Sequence, residues 1–89
     1  LAYQGLGEMD LALADFDKAI ALDPKDAVHR ENRGALWRAL QQWDKAVEAF
    51  RSGLELNPDD PQTYFSKGVA LTQLKRLKDA LRRLGARLF

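Results

Sequence analysis

Cysteine is absent from the 89 residues, so the chain can form no disulfide and offers no thiolate to a metal or an electrophile. Histidine occurs once, at His29, which rules out a two-histidine metal site within one chain. The two serines, Ser52 and Ser66, lie in no nucleophile-elbow context. Gly5-Leu6-Gly7 lacks the preceding strand and the third glycine of a phosphate-cradling loop, and reads as a helix end and turn. Carboxylate pairs such as Asp15/Asp17 and Asp59/Asp60 read as a solvated face and a helix cap. No run of 18 apolar residues is present to span a bilayer. No excess of one charge sign exists, because 14 Lys and Arg against 13 Asp and Glu leave a net +1. The expectation is therefore a non-enzyme, with no cofactor, no metal and no small-molecule substrate, and with cytoplasmic as the default compartment. The chain opens at Leu1, mid-helix by its pattern, with its first methionine at Met9. The expectation is a piece of a longer protein, in which a missing leader carries no information.

What is present is repetition. "DKAIALDPKDA" at 17–27 returns, 34 residues on, as "RSGLELNPDDP" at 51–61. The same shift lays Leu6, Leu40 and Leu74 on one another, and likewise Met9, Trp43 and Leu77. It superposes Ala12, Ala46 and Ala80, then Phe16, Phe50 and Leu84, then Leu13, Val47 and Leu81. Tyr3 falls on Trp37 and Leu71, Gly34 on Gly68, and Pro24 on Pro58. Large apolar positions stay large and small ones stay small, so a packing geometry is being repeated.

Each unit reads as two antiparallel helices. Residues 27–40 carry Val28, Ala35, Leu36, Ala39 and Leu40 near helical spacing behind an Asp26 N-cap. Residues 41–44 make a short turn, and 44–56 resume the spacing with Val47, Phe50 and Leu54. Pro58 stops that helix, Asp59 and Asp60 supply the next cap, and Pro61 suits a first helical turn. By the same rule 61–74 and 77–89 form a third-repeat pair, 10–22 the second helix of a first repeat, and 1–6 the stump of its first helix. The units are 1–26 (partial), 27–60 (complete) and 61–89 (incomplete), in one domain. Gly34 and Gly68 fall inside helices, where glycine costs about 1 kcal/mol against alanine, so both read as close packing contacts.

The chain resembles the tetratricopeptide repeat family, whose 34-residue pattern is W-x2-L-G-x2-Y, A-x3-F and P. Gly34, Trp37, Ala46, Phe50, Gly53 and Pro58 carry it in the complete repeat; Tyr3, Ala12, Phe16, Ala19 and Pro24 in the first; Tyr64, Gly68, Leu71, Ala80 and Leu84 in the third. Arg33 and Lys67 depart from it by replacing the leucine before the glycine, and Arg87 stands where Ala19 and Gly53 are small. The resemblance implies an all-α, right-handed α-solenoid of antiparallel helix pairs that works as a protein–protein interaction scaffold. It implies a concave groove for a peptide or partner segment, lined by Val28, Glu31, Asn32, Ala35, Arg38 and Ala39, and by Gln62, Phe65, Ser66, Val69, Thr72 and Gln73. Asn32 matches the family's groove asparagine, whose amide both donates and accepts. Gln62 and Ser66 stand where one subclass places bases that grip a C-terminal carboxylate, which disfavours capture of an acidic tail.

Charge is uneven along the chain. Residues 1–26 hold six acids and two bases, a net −4, whereas 75–89 hold six bases and Asp79, a net +5. A basic last helix admits a polyanion-binding reading, set against the commoner one of a charged solvated face. A regulatory or anchoring segment of a larger enzyme is the other alternative. Leu81, Leu84 and Leu88 with no following helix, together with the truncated start, suggest self-association through uncapped ends.

Overall fold

The computed structural model describes the backbone of residues 2–88 and the side chains of 7–85. Leu1, Phe89 and the side chains of Tyr3, Leu6, Arg87 and Leu88 lie outside the described residues. Four helices follow one another: α1 (Ala2–Leu22), α2 (Ala27–Ala39), α3 (Trp43–Leu56) and α4 (Pro61–Leu88). Among the described residues there is no strand, and no helix is long and apolar enough to cross a membrane. The fold is all-α and solenoid-like, with α1 packed on α2, α2 paired with α3, and α3 packed on α4.

The helix ends follow from local chemistry. Asp26 caps α2, its Oδ1 accepting from the Val28 N–H at 3.0 Å. Asp60 caps α4, with Oδ1 taking the Thr63 N–H at 3.2 Å and Oδ2 the Thr63 hydroxyl at 2.7 Å. Pro61 follows as the first helical residue, where its missing N–H costs nothing. Between α2 and α3 the Gln41 N–H donates to the Arg38 carbonyl and the Gln42 N–H to the Trp37 carbonyl, both at 2.9 Å. That is a complete Schellman motif, and its left-handed position is held by Gln41 at φ 59°.

The core sits where the α2–α3 pair meets α4. Ala46 and Ala70 are fully buried around Phe50, and Trp37, Trp43 and Val47 pack on them. Gly34 lets α2 approach: a Cβ built there would lie 2.7 Å from Phe50 Cε1. The packing role read for Gly34 therefore holds. α1 joins through half-buried Met9, Ala12, Leu13, Phe16, Ala19 and Ile20, one helical stripe, and through an ion pair of 2.9 Å between Arg33 Nε and Asp17 Oδ1.

Two expected turns do not form. α1 runs unbroken through Gly5 and Gly7 into the 10–22 segment, and α4 runs unbroken through the junction expected between 74 and 77. In α4 the stretch Leu74-Lys75-Arg76-Leu77-Lys78 is made wholly of good helix formers, and the left-handed place of Gln41 falls on Lys75. Continuing the helix keeps every backbone hydrogen bond local, whereas a turn is repaid only by burial that those residues do not find. Gly68 consequently corrects the expectation drawn from the register. A Cβ there would meet nothing within 4 Å, because the partner that the repeat assigns to it, Leu84, lies farther along the same helix.

Candidate functional site

The groove residues arise from one repeated stripe. Val28, Asn32, Ala35 and Ala39 fall at helical spacing on α2 and are all exposed. Gln62, Ser66, Val69 and Gln73 repeat the stripe on α4 at the 34-residue shift; Gln62 is exposed, and the other three are half-buried. Phe65 beside them is 72% exposed, an unusual position for a phenylalanine with no partner. Phe65, Val69, Thr72 and Gln73 share a shallow cleft with Gly68 and Arg76. The α2 and α4 helices touch, so the two stripes belong to neighbouring elements. Arg38 is half-buried at the edge of the α2 stripe.

Glu31 is turned elsewhere. Its Cγ sits 3.0 Å from where a Gly53 Cβ would be, and its carboxyl faces Asp60 and Thr63 at the start of α4. Burial, and after it the Asp60 carboxyl, push the Glu31 carboxyl above its ordinary value. The Thr63 hydroxyl and N–H hold Asp60 below the usual carboxylate range. Glu31 Oε1 is buried with no hydrogen-bond partner among the described residues. The junction therefore holds two carboxyls, one well satisfied and one not, and Glu31 is a joint between repeats more than a lining of the groove. The register gave no sign of this contact, although the Asp60 cap itself was readable.

A second cleft, of about 450 Å³, opens between α1, α2 and α3, lined by Ile20, Arg30, Arg33, Trp37, Lys45, Glu48, Ala49 and Ser52. Trp37 is flanked by two cations, the Lys45 ammonium 4.6 Å and the Arg33 guanidinium 5.6 Å from its ring centre. Arg30 is tied down, donating to Ser52 Oγ at 2.6 Å and to the Pro24 carbonyl at 3.1 Å. These contacts order the charges along the seam between the three helices. His29 lies 3.6 Å from Asp26 at the start of α2, apart from both stripes. Among the described residues no group of three or more His, Cys, Asp or Glu is placed to hold a metal.

Comparison with known proteins gives a consistent picture. A family model described as "TPR repeat" matches residues 34–75, and one described as "Tetratricopeptide repeat" matches 1–26. The chain is 39% identical over 75 residues to tetratricopeptide repeat protein 28 of Homo sapiens, which covers 84% of this chain and 3% of that protein. It is 34% identical over 76 residues to tetratricopeptide repeat protein 13 of Homo sapiens, covering 85% of this chain and 9% of that protein. It is 35% identical over 60 residues to Hsp70-Hsp90 organizing protein 1 of Glycine max, covering 67% of this chain and 10% of that protein. The chain thus spans no more than about a tenth of the length of any of these three relatives.

Proposed function

The chain belongs to the tetratricopeptide repeat family, and from that premise we propose that it is a non-catalytic interaction module holding an extended, neutral or mixed-charge peptide segment along the α2 and α4 stripes. The observation that carries this reading is the repeat of one solvent-facing stripe on two touching helices: exposed Asn32 and Ala35 on α2, then exposed Gln62 and Phe65 with half-buried Ser66, Val69 and Gln73 on α4. None of the α4 stripe positions Gln62, Phe65, Ser66, Val69 and Gln73 is basic, and the one cation lining their cleft is Arg76 at its edge, which leaves a free carboxylate no paired bases to grip it. Phe65 offers an apolar anchor, and Asn32, exposed in mid-helix, offers one donor and one acceptor to a peptide backbone.

The test is an array of neutral and acidic-tailed peptides, each with a free or an amidated C-terminus, followed by calorimetric titration of the strongest binder. Asn32→Ala weakens that binder by about 1 kcal/mol, close to fivefold in Kd, and amidation leaves its affinity unchanged. Binding that collapses on amidation would replace this reading with a carboxylate clamp.

A further inference from the structure

The cleft between α1, α2 and α3 is lined by three cations, Arg30, Arg33 and Lys45, and two of them meet no carboxylate. Arg30 donates only to neutral acceptors, the Ser52 hydroxyl at 2.6 Å and the Pro24 carbonyl at 3.1 Å. Each of the two terminal nitrogens that make those bonds keeps a second N–H. The buried Arg30 Nε has no acceptor among the described residues. Lys45 lies over the Trp37 ring, and among the described residues no carboxylate comes within 4.0 Å of its ammonium. Arg33, one helical turn from both Arg30 and Trp37, has Nε 2.9 Å from Asp17 Oδ1, but that N–H makes no hydrogen bond. Glu48 is the one acid in the lining, and its carboxylate is paired with Arg51. A surplus of positive charge therefore gathers here, in a chain whose net charge is only +1. Ile20, Ala49 and the Trp37 ring give the cleft apolar walls, beside which an ion pair is screened less than in open water.

We propose that this cleft is a second binding site, which takes an extended acidic segment of a partner protein with its carboxylates set along the row Lys45, Arg33 and Arg30. Arg30, Arg33 and Trp37 recur at i, i+3 and i+7 on the side of α2 opposite the Asn32 stripe, so this site and the groove use opposite faces of one helix. The row runs from Lys45 to Ser52, the residue that holds Arg30, a rise of about 10 Å along α3. Every second side chain of an extended segment falls on one side, about 7 Å apart, so two alternate acids cover most of that row. Arg30 meets a carboxylate with its remaining N–H groups, and Lys45 meets one as a point charge. A nucleic acid fits less well, because the Trp37 ring is taken up by two cations and is not free to stack a base. This inference does not rest on the groove reading.

The probe is a short acetylated and amidated peptide with glutamate at alternate positions, titrated by calorimetry into the 89-residue chain. Its glutamine counterpart and a single-stranded oligonucleotide of equal charge are the comparisons. Saturable one-site binding of the glutamate peptide is expected, weakening as salt rises, with the Trp37 indole N–H resonance moving as peptide is added. Lys45→Gln weakens that binding about three- to fivefold. Glu48→Gln removes the acid from the lining and tightens it by a similar factor. Both positions are exposed, and a gain of affinity does not arise from lost folding. Asn32→Ala, in the groove, leaves this affinity unchanged, so failure of one site is distinguishable from failure of the other. Absence of binding, or binding indifferent to both cleft substitutions, overturns the proposal. Affinity lost instead with Lys75→Gln and Lys78→Gln on α4 overturns it too, as does an oligonucleotide that outcompetes the peptide.

Discussion

Gly34 and Gly68 occupy the same place in the repeat, both inside helices, and differ in what faces them. Replacing each by alanine therefore separates packing from backbone effects. Helix propensity favours alanine by about 1 kcal/mol at both positions. At Gly68 nothing opposes that gain, because a Cβ meets open space. At Gly34 the Cβ arrives 2.7 Å from Phe50 Cε1, 2.8 Å from Cδ1 and 3.2 Å from Cγ. Carbon atoms settle at roughly 3.5–4.0 Å, so the ring must retreat by about 1 Å. It has little room to do so, since Phe50 is 3% exposed and Ala46 and Ala70 beside it are fully buried. Overpacking of this kind costs roughly 1–3 kcal/mol. The expected outcome is that Gly68→Ala stabilises by about 1 kcal/mol, while Gly34→Ala lands between neutral and about 2 kcal/mol destabilising. At roughly 4–8 °C per kcal/mol for a chain of this size, the two Tm values separate by at least about 5 °C. Far-ultraviolet circular dichroism melts at low protein concentration read this directly. Phe50→Leu in the Gly34→Ala background should recover part of the loss, giving a coupling between the two sites. Equal Tm shifts for the two alanine variants would refute the reasoning.

Gln41→Gly relieves a left-handed residue and should stabilise by up to about 1 kcal/mol, read as a raised Tm with unchanged helix content. Asp60→Ala removes the cap that takes both Thr63 donors and should lower Tm at neutral pH; because the folded-state value of Asp60 is depressed, that cap's contribution is present above the ordinary carboxylate value and is lost as pH falls below it through the depressed folded-state value. Glu31 has the opposite sign: its raised value means its contribution is fully present when protonated and is lost as pH rises through the folded value. Glu31→Gln supplies a permanent donor toward Asp60 and should stabilise at neutral pH by up to about 1 kcal/mol, at the low end because the carboxyl is only partly shielded. That gain should vanish in acid, as denaturation midpoints across pH would show.

The repeat, the two caps, the α2–α3 hairpin and the Ala46 and Phe50 part of the core were legible because each rests on short-range chemistry or on the 34-residue register, whereas Ala70 was not singled out. Asp26, Asp60 and Pro61 act through their nearest neighbours, and Phe50 announces itself by falling on Phe16 and Leu84 at the 34-residue shift. The turns at 5–9 and 74–77 were misread for a reason that lies outside local sequence. A helix-pair pattern states which residues would pack if the chain folded back, and it is silent on whether burial outweighs an uninterrupted helix. The contact of Glu31 with Asp60 was not legible because a repeat pattern gives the face of a helix and not the carboxyl that the next repeat's cap brings toward it. Gln41 carried no signal at all: a left-handed glutamine is recognised only from its φ.

The contrast between the two potential hairpins turns on the helix that follows each. The α2–α3 pair is closed, and Ala70 of α4 completes its core from outside the hairpin, fully buried against Ala46 and Phe50. Closing the pair strains Gln41 and ends two helices, and that cost of roughly 1–2 kcal/mol is exceeded once Phe50, Leu54 and the alanines are buried from both sides. The residues that would close 61–74 on 77–88 are leucines where the closed pair has Trp43 and Phe50, and among the described residues no helix covers them from the far side. Stability in stacked repeats is a sum of weak intrinsic terms and strong neighbour terms, so a hairpin closes where a neighbouring helix covers it. Appending a helix that repeats the Pro61–Leu74 face after residue 89 should therefore close the hairpin in cis, with labels at 64 and 84 drawing together. If the extended chain kept a long distance between those labels, the continuity of α4 would be intrinsic to its own sequence.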